Sequence, residues 1–442
     1  MGTLEDYALK SMHLAKMTGI MMGVHAIKDA FLLMHTGVGC KYKTAAQLSQ
    51  HDWATHPNKK EGWTQVGDRA VIKGSSGRIG PFARSWAERR DPGFMAVVSA
   101  VFLELTGEDF SDTVRKTEED GFPCPMAFLG TGGAAGDFYQ GYAAMQLAVA
   151  KKLHWKTEES ERRAGEVGLL GHMFTRYEAD QRADLGQMKV LMKALGLTMG
   201  PCIFSGVNYE GLTDIGKAEH IIQLPYTRPV KKKLKRVVKR GDIPELHLPI
   251  GIAGTSRWLR ELAEITGVSR GRAEAYIRQN EAKTLKQVSK LRERFAGSGV
   301  AIIADTPLAA GLTSMLTEFG FRPMYIGLRD SSLGQRALFD EWLEKDGCKL
   351  PEGAVVVENP SLKTLREELV SRFQRGQVRG MIGSSTDTQL IQQTRIPNFR
   401  PFVLQMGFPT TKYHVTYSIP TYGYGGVMAV AQRILDQILS VV

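Results

Sequence analysis

The sequence predicts an α/β fold built from doubly wound, Rossmann-like parallel-sheet domains, and two observations support this prediction. Short apolar runs rich in valine and isoleucine recur along the chain and end near glycine, proline or aspartate, as is typical of strands that are buried on both faces of a parallel sheet. Amphipathic segments lie between these runs, and repeated alternation of strand and helix indicates a doubly wound architecture. The predicted strands are Phe94–Phe102, Met126–Leu129, Val167–Phe174, His220–Leu224, Val300–Asp305, Met324–Leu328, Ala354–Glu358, Gly380–Ser384 and Phe402–Met406, and the predicted helices include Tyr139–Ala150, Ala183–Leu195, Arg257–Thr266, Ala273–Arg294, Leu308–Phe319, Leu362–Arg375 and Gly426–Leu439.

Three α/β domains are predicted from the charged and polar stretches that end the first two and from the fresh strand that starts the third. The first covers residues 1–160 and ends in a charged stretch, and the second covers residues 161–297 and closes with a long polar helix pattern. The third covers residues 298–442, where strand and helix alternate most clearly. Small or polar residues follow each of its strands, where a crevice forms in this class of fold.

Length and composition fit a globular protein of several domains. The chain has 442 residues, of which 43% are hydrophobic and 23% charged, and this excludes disorder over most of its length. Four cysteines cannot support a disulfide scaffold of this size. The most apolar stretch, 17–33, is interrupted by His25, Lys28 and Asp29, so neither a membrane span nor a secretion signal is predicted. We expect a cytoplasmic protein with reduced thiols and no membrane partner.

The excess of basic residues has one concentrated source. Lysine and arginine number 57 against 46 acidic residues, a net charge of +11, and residues 228–240 hold eight basic residues and no acid. Such a segment can indicate a polyanion partner, but no aromatic residue is interleaved for base stacking. Arg228–Arg240 is therefore interpreted as a solvated surface, with docking of another protein as the alternative, and no nucleic-acid partner is expected.

Common catalytic motifs are absent from the sequence. The glycine cluster at 74–80 lacks the Lys–Ser/Thr pair of a phosphate-binding loop, and the cluster at 130–136 lacks the dinucleotide-binding spacing. We interpret the second cluster as a tight strand-to-helix turn. Neither a paired-histidine zinc motif nor a Gly-x-Ser-x-Gly elbow occurs. No catalytic residue and no nucleotide-binding residue is predicted.

Cys40 has the sequence context of a metal ligand. It closes the stretch MHTGVGC, residues 34–40, directly after an apolar segment, and the glycines place its thiol on turn backbone whose N–H groups can donate to cluster sulfides. An iron–sulfur cluster needs about four ligands, so Cys40 requires ligands from another chain. Cys124, Cys202 and Cys348 are interpreted as structural or incidental.

The order of these features resembles the component-1 proteins of nitrogenase and nitrogenase-like reductases. His35, Gly37, Val38, Gly39 and Cys40 are similar to the family segment that contributes a cluster cysteine. Further similar segments are residues 97–110, which end in E-x-x-G-E-D, and residues 129–149, 248–267, 300–327 and 406–435. The resemblance covers nearly the whole chain and implies three α/β domains around a central cleft.

Departures from the family pattern indicate a β-type subunit. The fullest cluster sites of the family use three cysteines per subunit, whereas here Cys40 has no predecessor and Val101 replaces the later cysteine. The resemblance implies a 4Fe–4S or P-cluster-like cluster at a subunit interface, held by three cysteines of an α-type partner and by Cys40. Residues 224–226 lack the cysteine that cofactor-holding α-type chains of the family have there. His414 lies near the family's C-terminal loop on the cofactor side, but the matching cysteine is missing. This chain is therefore not expected to anchor a catalytic cofactor.

The resemblance implies a subunit of an ATP-dependent reductase. A homodimeric ATP-dependent iron–sulfur protein would supply low-potential electrons to the interface cluster of an α2β2 heterotetramer, and the α-type subunit would hold the reduction site, with a possible iron–sulfur catalytic cofactor. Methylthio-alkanes are favoured as substrates by elimination: β-type chains of tetrapyrrole reductases usually extend further, and the protochlorophyllide type tends to use a carboxylate in place of this cysteine. A nitrogenase-cofactor assembly scaffold and a (proto)chlorophyllide-type tetrapyrrole reductase are the alternatives, and a metal-free α/β binding protein is a third.

Overall fold

A computed structural model describes residues 15–37, 60–132, 136–329, 334–394, 396 and 399–439. The described chain divides into two compact units. The N-terminal unit lies within Leu14–Tyr177 and Gly200–Pro244, and the C-terminal unit lies within Glu178–Met199 and Glu245–Val442. None of the described helices is both long and apolar enough to cross a bilayer. The predicted division into three domains stays a proposal.

A four-stranded parallel sheet with the order β2-β1-β3-β4 lies in the N-terminal unit. All residues of the two central strands, β1 and β3, are buried, as their continuous apolar sequences predict. The predicted strand Phe94–Phe102 ends at Ser99, because Val101 begins a helical turn. In chain order the elements are α1 (Lys16–His25), β1 (Ala30–His35), β2 (Glu61–Trp63), α2 (Asp68–Lys73), α3 (Ile79–Arg90), β3 (Phe94–Ser99), α4 (Val101–Glu104), α5 (Phe110–Glu119), β4 (Met126–Leu129) and α6 (Phe138–Ala150).

A three-stranded sheet with the order β6-β5-β7 follows in the chain. Strands β5 and β7 are parallel, from Val167 opposite His220 to Leu170 opposite Gln223. The predicted strand Val167–Phe174 begins earlier than expected and ends at Leu170, since Gly171 has a φ of 76° that leaves the extended region. The elements are β5 (Arg163–Leu170), α7 (Ala179–Ala194), β6 (Thr198–Cys202), β7 (Ala218–Gln223) and α8 (Lys231–Val238), with 3₁₀ helices at Tyr209–Lys217 and Pro225–Val230.

A five-stranded parallel sheet forms the core of the C-terminal unit, with the order β10-β9-β8-β11-β12. The order reverses between β8 and β11, which is the hallmark of a doubly wound sheet. Its elements are α9 (Ile252–Ile265), α10 (Arg270–Phe295), β8 (Gly299–Ala304), α11 (Thr306–Glu318), β9 (Arg322–Leu328), α12 (Gln335–Lys345), β10 (Val355–Glu358), α13 (Leu362–Gln374), β11 (Gly380–Gly383), α14 (Ser385–Gln392), β12 (Phe402–Gln405) and α15 (Gly423–Leu439).

Side chains at the strand ends of this sheet start the helices that follow. Asp305, Ser361 and Ser384 each accept a hydrogen bond from a backbone N–H in the first turn of α11, α13 and α14, and such caps contribute about 1 kcal/mol each. The small and polar residues that follow these strands therefore act first as helix caps. The predicted α/β fold with doubly wound parallel sheets is confirmed.

Asp184 of α7 is a buried carboxyl group that gives the C-terminal unit a predicted pH dependence. Its Oδ1 accepts the N–H groups of Thr421 at 2.6 Å and Tyr422 at 2.9 Å. Burial raises the pKa of Asp184 to about 7, against the effect of these donors. Because the pKa of Asp184 is higher in the folded chain than in the unfolded chain, this group favours the fold most at pH values below its unfolded pKa. The contribution is lost as the pH rises toward 7, which lowers the free energy of unfolding by up to about 4 kcal/mol.

Asp184→Asn keeps the accepting oxygen and removes the titration, so its advantage in unfolding free energy over the unchanged chain should grow from pH 4 to pH 8. Chemical denaturation at several pH values measures it. Asp340→Asn, at an exposed ion pair with Arg336, is the control and should show no comparable trend. An Asp184→Asn difference that is constant with pH would contradict the prediction.

Candidate functional site

The carboxyl ends of β1, β2, β3 and β4 meet at one edge of the four-stranded sheet, because all four strands are parallel. We call it the cysteine-loop edge, since β1 ends at His35 and the chain runs on through Gly37 toward Cys40. Cys40 itself, with Val38 and Gly39, lies outside the described residues. Its role as a metal ligand therefore stays a prediction, and the described side chains define the surroundings of the chain up to Gly37.

His35 is buried at this edge in a directed chain of hydrogen bonds. Its Nδ1 lies 2.8 Å from Thr64 Oγ1, and its Nε2 lies 2.9 Å from Ser75 Oγ. Since Ser75 donates its single hydroxyl proton to Glu108, its oxygen accepts from His35 Nε2–H, and Thr64 donates to Nδ1. Burial lowers the pKa of His35 to about 4, although Glu108 acts in the opposite direction. The ring is therefore neutral at pH 7, as this assignment requires.

Glu108 organises the turn between α2 and α3. Its carboxylate accepts the N–H groups of Ser75 at 2.8 Å and Ser76 at 2.7 Å, and the hydroxyl of Ser75 at 2.9 Å. Burial opposes ionisation of this carboxyl group, but the donors of Ser76 and Ser75 outweigh it and lower the pKa of Glu108 to about 2. The carboxylate is ionised at neutral pH and places a negative charge at the start of the 3₁₀ helix Ser76–Arg78.

Glu104 organises the turn after β4 in the same way. It accepts the N–H groups of Thr131 at 2.6 Å and Gly132 at 2.9 Å, and the hydroxyl of Ser99 at 2.7 Å. Burial raises the pKa of this carboxyl group, but these donors outweigh burial, and the net pKa is lowered. Two N–H groups of the glycine cluster at 130–136 are thus bonded to a carboxylate of the same chain.

The two glutamates reach to opposite sides of the sheet edge. They follow the central strand β3, whereas Ser75 lies after the edge strand β2 and Thr131 lies after the edge strand β4. Residues 104–108 therefore connect the turns on both sides of the β1–β3 pair. We call these five residues, with the hydrogen bonds of Glu104 and Glu108, the carboxylate brace.

Large apolar side chains are exposed on the segments that leave this edge. Val101, Phe102 and Leu105 follow β3 and are 42%, 44% and 82% exposed, and Ile72 of α2, which follows β2, is 85% exposed. Exposed apolar groups that are concentrated on neighbouring segments favour contact with another protein. Val101, which the resemblance places at the position of the family's later cysteine, belongs to this apolar set.

The three described cysteines are in environments that favour the neutral thiol or bury the sulfur. Burial raises the pKa of Cys124 to about 12 and also raises that of Cys348, and Cys202 is buried. In the part of the chain that the structure describes, no group of three or more His, Cys, Asp or Glu side chains is arranged to hold a metal ion. The interpretation of these cysteines as structural stays a prediction.

His414 lies in the C-terminal unit with both ring nitrogens engaged. Its Nδ1 lies 2.6 Å from Glu178 Oε1, and its Nε2 donates to the carbonyl of Thr411 at 3.0 Å. Glu178 also accepts the N–H of Val415 at 2.9 Å. These contacts tie residues 411–415 to the start of α7 and leave no ring nitrogen of His414 directed at an open position.

The basic segment Arg228–Arg240 contains helix α8. Leu234 and Val238 are buried, every lysine of the helix is exposed, and Lys235 pairs with Asp242. Three lysines occupy the first turn, where the helix dipole disfavours positive charge. This arrangement fits a solvated helix face, and docking of another protein on it stays a prediction.

The sequence indicated the motif of the brace but not its role. E-x-x-G-E-D at 104–109 was singled out by resemblance alone, and Thr64, Ser75 and Ser99 were not predicted as part of the site. Their partners are 5 to 40 residues away in the chain, and the longer separations are closed only by the folded strands. A signal was present in hindsight: two glutamates four residues apart soon after a buried strand, with serine- and glycine-rich turns after the two edge strands of the sheet.

Comparison with known proteins gives one consistent result. A sequence profile of the family described as nitrogenase component 1 type oxidoreductase matches residues 15–439. The nitrogenase molybdenum-iron protein beta chain of Azospirillum brasilense is 22% identical over 441 residues, which are 95% of this chain and 80% of that protein. The nitrogenase iron-iron protein beta chain of Rhodobacter capsulatus is 22% identical over 450 residues, or 94% and 90% of the two chains.

A solved structure of nitrogenase Cp1 at pH 6.5 has the same fold. It superposes with a TM-score of 0.80 at 19% sequence identity and covers 97% of this chain and 92% of its own. At this identity the likeness concerns the fold alone.

Proposed function

The chain belongs to the family of nitrogenase component 1 type oxidoreductases, and on that basis we propose that it is the β-type subunit of an ATP-dependent reductase. In this proposal Cys40 supplies one ligand of an iron–sulfur cluster, of the 4Fe–4S or P-cluster-like kind, at the interface with an α-type subunit. The observation that carries the proposal is a match to beta chains over nearly the whole chain, combined with a single cysteine in the cluster-binding motifs.

The described donors at the cysteine-loop edge fit a shared cluster. Both ring nitrogens of His35 are hydrogen-bonded, and the carboxylates of Glu104 and Glu108 are each occupied by at least three donors. None of these groups is free to replace a cysteine, and Val101 has no donor atom. This chain would thus supply Cys40, and the other ligands would come from the partner.

The residues of this chain hold and shield the site rather than perform a chemical step. The Cys40 thiolate would hold the iron, and the neighbouring glycines would leave backbone N–H groups unobstructed. The exposed apolar groups after β3 would exclude water once the partner covers them. When bound, the cluster would supply one-electron chemistry. The reduction site lies mainly in the α-type subunit, which has a possible iron–sulfur cofactor of its own.

The proposed assembly is a cytoplasmic α2β2 heterotetramer that is served by a homodimeric ATP-dependent iron–sulfur protein. Supporting it are the exposed side chains of Ile72, Val101, Phe102 and Leu105, since exposed apolar side chains on segments that leave one sheet edge favour contact with a partner. We propose C–S bond reduction of methylthio-alkanes as the activity, which rests on the elimination of the other groups by their sequence patterns.

Turnover by the complete complex tests the activity. The chain is purified anaerobically with its α-type subunit, mixed with the iron protein, dithionite and ATP, and supplied with a methylthio-alkane. The expected result is ATP-dependent release of the thiol product. Reduction of (proto)chlorophyllide instead, or transfer of a cluster to an acceptor protein without turnover, would identify the tetrapyrrole reductase or the assembly scaffold, and an iron-free complex would contradict the proposal.

A further inference from the structure

We infer that one face of helix α8 is a docking surface for the acidic face of a partner protein. We call this surface the basic face, and its cations are Lys232, Lys235, Arg236 and Lys239. It goes beyond the proposed function, because it lies outside the cluster-binding motifs of the sequence and needs no iron.

The basic face lies opposite the side of α8 that packs into the N-terminal unit. Leu234 and Val238 are buried one helical turn apart, and α8 packs against α6 and the 3₁₀ helix Pro225–Val230. The four cations follow one another at intervals of three, one and three residues, which places them on a single stripe of a helix, and all four are exposed. The apolar stripe therefore anchors the helix, and the charged stripe is open to a partner.

Little of the charge on the basic face is neutralised by this chain. Lys235 pairs with Asp242, whereas the other three cations form no ion pair with any residue that the structure describes. Burial lowers the pKa of Arg240 at the end of the segment, and the positive charge of the exposed Arg162 acts in the same direction. The eight basic residues of 228–240 account for most of the net charge of +11, so the excess charge is local rather than spread over the surface.

The positions of these cations cost the helix stability. Three lysines occupy the first turn, where the helix dipole favours acidic groups. Like charges one turn apart repel each other, and two such pairs lie on the basic face, Lys232 with Arg236 and Lys235 with Lys239. Lys239 also ends the helix at a φ of 53°, a conformation that usually belongs to glycine. Solubility alone is served by a surface that interleaves both signs of charge, so these costs indicate that the cations bind something.

The length of the basic face favours a compact acidic partner over a nucleic acid. A helix of eight residues is about 12 Å long, and its four cations are fewer than the about 6 to 10 phosphate contacts that salt-dependent DNA binding employs. No aromatic residue lies within 228–240 to stack on bases.

A membrane surface fits α8 less well than a protein does. Amphipathic helices bind membranes by burying an apolar face at the lipid boundary, but Leu234 and Val238 are already buried in the fold. The cations are about 5–6 Å apart along the helix, which is less than the Debye length of about 8 Å at physiological salt. Their fields therefore add over a small area, as suits electrostatic steering toward a cluster of carboxylates on another protein.

Binding of a fluorescein-labelled peptide of alternating glutamate and serine tests the basic face. The full chain is titrated into the peptide at about 0.15 M salt, and fluorescence anisotropy gives the Kd. Lys232→Glu/Arg236→Glu should weaken binding by at least about 10-fold, because two attractive charges become repulsive. Lys283→Glu/Lys286→Glu makes the same change of net charge at exposed positions of α10 and should leave the Kd unchanged.

The free energy of unfolding separates a binding role from support of the fold. Lys232→Glu alone places an acid in the first turn of α8, where the helix dipole favours it. This variant should therefore bind the peptide less tightly while its free energy of unfolding, measured by chemical denaturation, stays the same or rises. Loss of binding together with loss of stability would reduce the cations to structural support and overturn the inference.

Competition experiments identify the class of partner. Duplex DNA, and vesicles that contain phosphatidylserine, should displace the labelled peptide less well than unlabelled peptide does at the same concentration of negative charge. Equal or better displacement by either competitor would overturn the assignment to a protein. Equal weakening by the α8 and α10 double variants would show an effect of net charge alone and would also overturn it. None of these measurements involves a cluster, so their failure would leave the proposed function standing.

Discussion

Replacement of Gly141 with alanine is expected to destabilise the N-terminal unit by about 3 kcal/mol, near the upper end of the usual cost of overpacking. A Cβ at Gly141 of α6 would lie 1.9 Å from the carbonyl oxygen of Lys16, and a Cβ at Gly19 of α1 would lie 1.8 Å from that of Phe138. These are backbone atoms of the facing helix, so no side-chain rotation relieves the clash. Helices α1 and α6 must separate, and the residues packed beside them lose contact.

Chemical denaturation of the chain carrying Gly141→Ala or Gly19→Ala measures the effect. Gly186→Ala is a matched control inside helix α7, because a Cβ there meets nothing within 4 Å. Alanine in a helix interior is favoured over glycine by about 0.5–1 kcal/mol, so this variant should be slightly more stable. Equal stability of all three variants would show that α1 and α6 do not cross at their glycines.

Replacement of Cys40 with alanine is expected to lower the ATP-dependent turnover of the complex by at least about 100-fold. Loss of a residue that only supports a metal ligand already costs about 10- to 100-fold, and Cys40 is proposed as a ligand itself. The described carboxylates and imidazole at the cysteine-loop edge are bonded to other groups, so none of them can replace the thiolate. Turnover is measured with the iron protein and ATP in excess.

Cys348→Ala provides the control for this experiment. Cys348 is partly exposed in the C-terminal unit and its Sγ lies 3.6 Å from Thr317 Oγ1, with no predicted part in metal binding. Turnover close to that of the unchanged complex is expected for it. If Cys40→Ala and Cys348→Ala retain the same activity, Cys40 is not required for electron delivery.

The fold was predictable because its strands can be recognised from their apolar composition. Gly299–Ala304 and Met126–Leu129 are continuous apolar runs followed by an aspartate or a glycine, and such runs have few alternatives to a buried parallel strand. The prediction for Phe94–Phe102 extended too far for the same reason. Val101 and Phe102 are as apolar as the residues before them, but they are exposed on a helical turn, and apolar character alone does not distinguish burial in a sheet from exposure to a partner.

The candidate site was predictable only in part. The Cys40 ligand, which stays a prediction, rests on a local signal, because the preceding Gly37 and Gly39 define its context. The brace cannot be recognised in this way, since Glu104 and Glu108 find their donors on turns that follow other strands. The hydrogen bonds that link Thr64, His35, Ser75 and Glu108 in series have a direction that depends on the neutral state of His35. Burial keeps His35 neutral, and burial is a property of the folded chain.

Mössbauer spectroscopy of the anaerobic complex, grown with ⁵⁷Fe and co-purified with its α-type subunit, tests the central claim most directly. The account predicts an iron–sulfur cluster signal in the unchanged complex that is lost or converted to a smaller species in Cys40→Ala and kept in Cys348→Ala. A cluster signal of full intensity and unchanged parameters in Cys40→Ala would contradict the claim that this chain holds the cluster through Cys40.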